Sequence, residues 1–452
     1  MSRWLRLTKA GGLAVGAAAA GVGAVIAAEK IAVGRLRLRP DPAADEPLGQ
    51  MRGRPLTVLA DDGVPLHAEV AGPDDAAVTI VFTHGYTLTQ DCWHYQRQGL
   101  EETARLVFWD QRGHGRSPRL WPDGAACVVA DVDVDEDEST SGGLTSNQAT
   151  SSQGTSSEDG SAQGTSSEAG SAQGTSSGGG SAQGTSFVGI SRDVTIEQTG
   201  ADLAAVLAAT CPGDGPVILV GHSMGGMTIM ALAARHPELF GTKVIGTALI
   251  ATAAANVDPA AWLPAPLRPL ARQAAPSVLR GATQGRQAAL VERGRRAAGD
   301  IAFLSTRFIG FGDSSVSPTL VDFAERMIRS TRVEVIAEFY LALLGHDQQA
   351  ALEVIGRTPA FVLTGDRDKV VASRLAGELA AGIPGADLIL VPGAGHLVFM
   401  ERPEVVNEAI LGLLAQATEV GSPGSPCSPG SPASPASPDS PGSPGSPEPR
   451  TA

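Results

Sequence analysis

The sequence predicts an α/β fold, a mostly parallel sheet flanked by helices and interrupted by an inserted helical cap. Two observations carry this. Six short apolar runs rich in Val, Ile and Leu recur at 77–85, 104–113, 215–223, 243–251, 359–366 and 386–393. Continuous runs of this length suit strands buried on both faces. Helical patterns alternate with them, and strand–helix alternation winds a parallel sheet with helices on both sides. The chain has 452 residues and is 42% hydrophobic. Once three stretches that do not read as core are set aside, about 300 residues remain, enough for one large α/β domain.

In chain order, "RPLTVLA" and "VPLHAEV" flank the turn "DDG" and read as a hairpin that opens the core, 47–118. The second core stretch, 191–252, starts with "TIEQTGADLAAVLAA", headed by a capping box from Thr195 to Gln198. "MGGMTIMALAARH" is a helix stopped by Pro237. Residues 253–357 hold helical stretches such as "PTLVDFAERMIRS" between two sheet strands, so they form the cap. The core resumes over 358–418 and ends in "PEVVNEAILGLLAQA", a helix with proline in its first turn.

The three remaining stretches differ in kind. Residues 119–190 repeat "SAQGTSSEAG"-like decapeptides with nothing apolar to stack, which is a flexible linker. Its "DVDVDEDE" lacks the glycine and spaced glutamate of a calcium loop and reads as a solvated acidic run. Residues 419–452 are a Ser-Pro tail. In residues 1–46, Arg3, Arg6 and Lys9 precede eighteen uncharged residues. That segment reads as a signal peptide or membrane anchor, with a soluble Ala-rich helix as the alternative, and membrane attachment or export is the favoured expectation. The net charge of −14 is concentrated in 119–190, which holds ten acids and one base, Arg119. No basic stripe stands out, so nucleic acid is not an expected partner. Arginine outnumbers lysine thirty to four, as in a G- and C-rich, bacterial gene. Cys92, Cys127, Cys211 and Cys427 form no CxxC pair and read as single thiols. There is no HExxH and no P-loop, so no metal or cofactor is expected.

The chemistry centres on "LVGHSMGGM", 219–227. Gly221-His222-Ser223-Met224-Gly225 follows a predicted strand and opens a predicted helix, the context a nucleophile elbow requires. A serine hydroxyl needs a base, and the base an orienting carboxylate. Of the histidines after Ser223, His236 ends the next helix, His346 lies in the cap, and His396 lies in a Gly-rich loop after the last strand. His396 is therefore the expected base. "TGDRDKVV" offers Asp368, with Asp366 as the alternative at the strand end. The oxyanion donors are expected to be the backbone N–H groups of Tyr86 and Met224. For His84 a structural hydrogen bond is the expected role.

"THGYTLTQDCW", "DQRGHGRS", "GHSMGG", "TGDRDKVV" and "GAGH" occur in the order of the α/β-hydrolase fold family, which the chain resembles over about 54–118 and 190–418. The resemblance implies a triad of Ser223, Asp368 and His396, an oxyanion hole at Tyr86 and Met224, and no catalytic role for Arg112 or His114. It implies a serine hydrolase of esterase or lipase type acting on a small-molecule ester or acyl substrate. Two alternatives stay open: a cofactor-free perhydrolase or acyltransferase, and a non-catalytic ligand-binding protein of the same fold. Trp262, Leu263, Phe303, Phe308, Phe311 and Phe339 are candidates for an apolar acyl pocket or for the cap's own core.

Overall fold

The computed structural model describes residues 33–119, 194–211, 213–258 and 299–420, the helix Gly285–Ala297, Lys30 and single positions between 259 and 284. The N-terminal apolar run, most of the 119–190 insertion, the Ser-Pro tail, Trp262, Leu263, Cys127 and Cys427 lie outside the described residues. Among the described residues no helix is long and apolar enough to cross a membrane.

Eight strands form one sheet: β1 (Arg54–Leu59), β2 (Pro65–Ala71), β3 (Thr79–Thr83), β4 (Arg105–Trp109), β5 (Val217–His222), β6 (Val244–Ile250), β7 (Ala360–Gly365) and β8 (Asp387–Val391). Their order is β1-β2-β4-β3-β5-β6-β7-β8. The hairpin strands β1 and β2 pair antiparallel, β2 joins β4 antiparallel, and every other pairing is parallel. The central strand β5 is buried at every residue, as its unbroken apolar run requires. β8 departs from that pattern. It is an edge strand, so Asp387, Leu388 and Leu390 are exposed although the run reads as buried.

The longer helices are α1 (His94–Leu100), α2 (Ile196–Thr210), α3 (Met224–Arg235), α4 (Gly285–Ala297), α5 (Gly299–Gly310), α6 (Pro318–Ser330), α7 (Val333–Leu344), α8 (Ser373–Gly382) and α9 (Pro403–Val420). At the start of α2 only half of the expected capping box forms. Thr195 Oγ1 accepts from Gln198 N–H at 3.2 Å, but the Gln198 amide donates to Asp61 at 2.9 Å. α4 to α7 fall between β6 and β7 and form the cap. The cap ends earlier than 357: the turn Gln349–Ala351 and the helical turn Leu352–Ile355 pack back on α3 through Ala351, Leu352 and Ile355.

The N-terminal boundary also shifts. Part of the 1–46 segment, residues 33–46, is docked on the rest of the fold. Val33 and Ala43 are buried. Asp41 accepts from the hydroxyls of Ser317 and Thr319 at the start of α6, and Arg37 pairs with Asp322. The charges that follow the apolar run therefore work partly as ties to the cap.

Candidate active site

Ser223 sits at the end of β5 with φ +52° and ψ −118°, a strained conformation for a residue with a side chain. The neighbouring glycines make the turn possible. A Cβ on Gly225 would lie 2.1 Å from Thr83 O, and one on Gly221 would lie 2.6 Å from Gly225 C. Only bare backbone allows α3 to start this close to β3 and β5. Ser223 N–H donates to Ile250 O at 2.9 Å, and Thr252 Oγ1 donates to Ser223 O at 2.7 Å, so the elbow is held from β6.

The loops after β7 and β8 meet this serine. His396 Nε2 lies 3.1 Å from Ser223 Oγ, and His396 Nδ1 lies 2.8 Å from Asp368 Oδ2. With Nδ1–H donating to the carboxylate, Nε2 is left to accept from the hydroxyl. The second oxygen of Asp368 accepts from Val370 N–H at 2.7 Å and Val371 N–H at 2.9 Å. The carboxylate is thus fully coordinated and its side chain wholly buried. Asp366 is exposed and spends its carboxylate on Gly393 N–H at 2.7 Å. It caps the turn, which leaves Asp368 as the partner of His396. His346 Nε2–H donates to Ala253 O and His236 pairs with Glu238 at the surface, so neither reaches the serine.

On the other side of Ser223, residues 84–88 form a tight loop. His84 Nε2 accepts from Gln111 N–H at 2.9 Å, and Nδ1–H donates to Gly85 O at 2.8 Å. His114 Nε2 accepts from Thr87 N–H at 3.1 Å, and its Nδ1–H donates to Arg112 O at 3.0 Å. The two rings meet edge to face with centroids 5.3 Å apart. Burial, helped by His114, pulls the His84 imidazole down to about 3. Burial alone pulls His114 to about 4. Both are neutral struts that hold Tyr86 and Thr87 over the serine. Among the hydrogen bonds that fix this corner, neither the Tyr86 nor the Met224 amide is used as a donor. Met224 is also the first residue of α3, where the helix dipole favours negative charge.

The "DQRGHGRS" loop explains its own residues. Arg112 Nε donates to the fully buried Asp202 at 2.6 Å and Nη1 to Asp62 at 2.9 Å. Removing one partner of such a pair strands a buried charge and costs about 3–5 kcal/mol. Arg112 and His114 are thus scaffold, with no place among the reacting atoms.

Two further residues hold the His396 loop through its backbone, His222 at His396 itself and Glu401 at Gly395, and sequence reasoning missed both. His222 Nε2–H donates to His396 O at 3.0 Å, and its ring packs on Phe399 with centroids 4.6 Å apart. Burial holds this imidazole well below its usual range. Glu401 accepts from Gly395 N–H at 2.7 Å and from Gly312 N–H at 3.1 Å, joining the His396 loop to the end of α5. The available signal was a single carboxylate in the apolar turn "LVFME", where a buried charge demands donors.

A cavity of about 480 Å³ opens on Ser223 and His396, enclosed by the cap helices α5, α6 and α7. Ile309, Ile328, Ile336, Leu343 and Val370 supply much of its wall. No charged side chain lines it among the described residues. The cap phenylalanines take other places: Phe303, Phe311 and Phe339 are buried in the core, and Phe308 is exposed beneath Lys369. No group of three or more His, Cys, Asp or Glu side chains among the described residues could hold a metal ion.

Comparison with known proteins agrees with this architecture. The model of the alpha/beta hydrolase fold family matches residues 78–403. A bifunctional esterase/perhydrolase of Acinetobacter calcoaceticus is 45% identical over 65 residues, which is 14% of this chain and 23% of that protein. Across four curated relatives that it matches, the chain covers from 10% to 63% of their length. Among solved structures, an esterase from Thermogutta terrifontis superposes with a TM-score of 0.52 at 20% identity, covering 81% of this chain and 99% of the other. An enol-lactonase from Burkholderia xenovorans gives 0.51 at 19% identity, covering 80% and 100%. The sheet order, the strained serine after β5 and the matched span of 78–403 lead to one statement: the chain belongs to the α/β-hydrolase fold family.

Proposed function

We propose that this protein is a serine esterase that cleaves small-molecule carboxylic esters with an uncharged, apolar acyl group. The observation that carries the reading is the unbroken relay from Asp368 through His396 to the Ser223 hydroxyl, with steps of 2.8 and 3.1 Å. Ser223 Oγ attacks the ester carbonyl while His396 Nε2 takes its proton. The oxyanion that forms is received by the N–H groups of Tyr86 and Met224. Collapse of the intermediate expels the alcohol, which takes the proton back from His396, and leaves an acyl group on Ser223. Water, activated by the same imidazole, then releases the acid and restores the serine. Asp368 holds His396 in the required tautomer throughout. The cavity supports the choice of acyl group, since apolar walls gain from hydrocarbon and offer a charged acyl group no partner.

The test is labelling with a fluorophosphonate probe together with turnover of p-nitrophenyl esters. Labelling and turnover are expected for the native protein and for neither Ser223→Ala nor His396→Ala. A native protein that is neither labelled nor active favours the non-catalytic ligand-binding reading. A second reading keeps the triad and passes the acyl group to peroxide or to another alcohol. Its support is the local likeness to the Acinetobacter esterase/perhydrolase. Product analysis with water, peroxide and alcohols competing as acceptors separates the two.

A further inference from the structure

The cap helix α5 ends among cations that have no carboxylates to meet. Arg39 Nη1 donates to Ser314 O at 2.6 Å, and Arg307 Nη2 donates to the same oxygen. Arg367 Nη1 donates to Gly312 O at 3.3 Å, and Lys369 Nζ to Phe308 O at 2.6 Å. Among the described residues none of these four forms an ion pair, whereas their neighbours Arg37 and Arg402 do, with Asp322 and Asp313. The acids nearby are already engaged: Asp313 by Arg402 and Ser315, and Glu401 by the amides of Gly312, Asp313 and Gly395. A helix C-terminus attracts cations, but it carries only about half an elementary negative charge. Burial and the nearby Arg39 hold the Arg307 guanidinium below its usual range, and burial with Arg307 and Arg367 does the same to Lys369. The group therefore repels itself, which costs stability unless a negative partner arrives.

The same surface exposes large apolar side chains. Phe308 is 60% exposed, with Lys369 Nζ 3.8 Å from its ring centroid. Ile301 lies two turns earlier on the same face of α5 and is 56% exposed. Leu38, just before Arg39, is 86% exposed. Apolar side chains rimmed by cations match the two forces that hold a protein on an anionic bilayer, hydrocarbon burial at the headgroup boundary and attraction to acidic headgroups. A nucleic acid would meet the cations and leave Leu38 and Ile301 in water. We infer that this face, formed by Leu38, Arg39, the outer side of α5, Arg367 and Lys369, docks the protein on a membrane surface rich in anionic lipid. Ser305 lies between Ile301 and Phe308 on that side of α5, and among the described residues it is the one exposed member of the wall of the cavity over Ser223. Docking therefore sets the edge of the cavity against lipid, the phase in which esters of apolar acids concentrate.

The inference goes beyond the esterase reading and is measured without turnover, so either can fail alone. The full-length protein is floated with vesicles of phosphatidylcholine alone, or of phosphatidylcholine and phosphatidylglycerol in equal parts. At about 0.1 M salt, partition into the mixed vesicles is expected to exceed that into neutral ones by more than about tenfold, and about 1 M salt to cancel most of the difference. Combining Arg39→Gln, Arg307→Gln, Arg367→Gln and Lys369→Gln is expected to lower partition into mixed vesicles by at least about a hundredfold, since each cation near the surface is worth about fivefold. Phe308→Ser is expected to lower it by about tenfold. Melting curves check that the variants fold. If the fourfold variant does not, Arg39→Gln with Arg367→Gln, both exposed, is expected to lose about twentyfold. Equal partition of the native protein into both vesicles, or native-like partition of the charge variants, overturns the inference and assigns any attachment to another part of the chain, such as residues 11–28. Retention on heparin without vesicle binding also overturns it, in favour of an acidic polymer as the partner.

Discussion

The loops on either side of Ser223 each carry a histidine, and the two histidines do opposite things. On the 84–88 side, His84 spends both ring nitrogens on the backbone, at Gln111 N–H and Gly85 O. On the 394–397 side, His396 spends its nitrogens on a carboxylate and a hydroxyl. Both are largely buried, so burial does not distinguish them. The partners do. A backbone N–H has no proton to surrender, so a ring nitrogen facing one is fixed as an acceptor. A hydroxyl can give its proton up, and a carboxylate on the opposite nitrogen stabilises the cation that results. Three buried histidines around the serine, His84, His114 and His222, spend their bonds on backbone atoms, and the fourth, His396, is the base of the proposed mechanism.

The largest expected effect tests that division directly. His396→Ala is expected to lower kcat by about 10⁵-fold while the thermal midpoint moves by only a few degrees. His84→Ala is expected to do the reverse in kind, with a clear loss of midpoint and a smaller loss of kcat that follows from a slack 84–88 loop. An inactive His84→Ala protein of native stability would break the comparison. Paired melting curves and single-substrate kinetics decide it.

Next in size is the dependence of stability on pH. His84 and His114 are held at about 3 and about 4 in the fold, against an unfolded value near ~6.5. Below ~6.5 the unfolded chain binds protons that the fold refuses, so stability is full above that pH and falls as pH drops through the window toward about 4 and 3. Each histidine then forfeits about 2 kcal/mol between pH 6.5 and pH 5. Asp110, raised to about 6 by burial, runs the other way. Glu69 is raised by burial but brought to about 2 by His67, Gly53 N–H and Arg97, so it loses its contribution only below ~4.5. Urea midpoints of the native protein and His114→Gln at pH 7 and pH 5 isolate one histidine. A parallel pH response in both would rule out the strut role given to His114.

The smallest effect sharpens the comparison within the base side. His222→Phe keeps a ring against Phe399 and Trp93 but removes the bond to His396 O. A loss of about tenfold in kcat with KM little changed is expected, since one hydrogen bond positions the base without touching substrate. An unchanged kcat would assign that bond to packing alone.

Much of this arrangement is legible in the sequence, because strand–turn–helix periodicity and chain order fix Ser223 and His396 with little ambiguity. Asp366 and Asp368 stay open at that level, since both leave the same strand end. The Gly393 amide, which claims Asp366, and the His396 ring, which meets Asp368, separate them. Less legible still are groups whose work is done on backbone atoms. His222 and Glu401 bind a carbonyl and amides of distant loops, and no spacing rule announces such partners. Arg37 and Asp41 likewise find their partners on the cap helix α6, far away in sequence.

Glu401 has a mechanical consequence. One carboxylate gathers amides from Gly312, Asp313 and Gly395, and Leu397 N–H donates to Gly310 O beside them. That corner is riveted, and prying the end of α5 away would drag the imidazole's own loop out of line. The end of the cap helix and the loop carrying the imidazole are therefore one joined unit, and a change made in either is transmitted to the other.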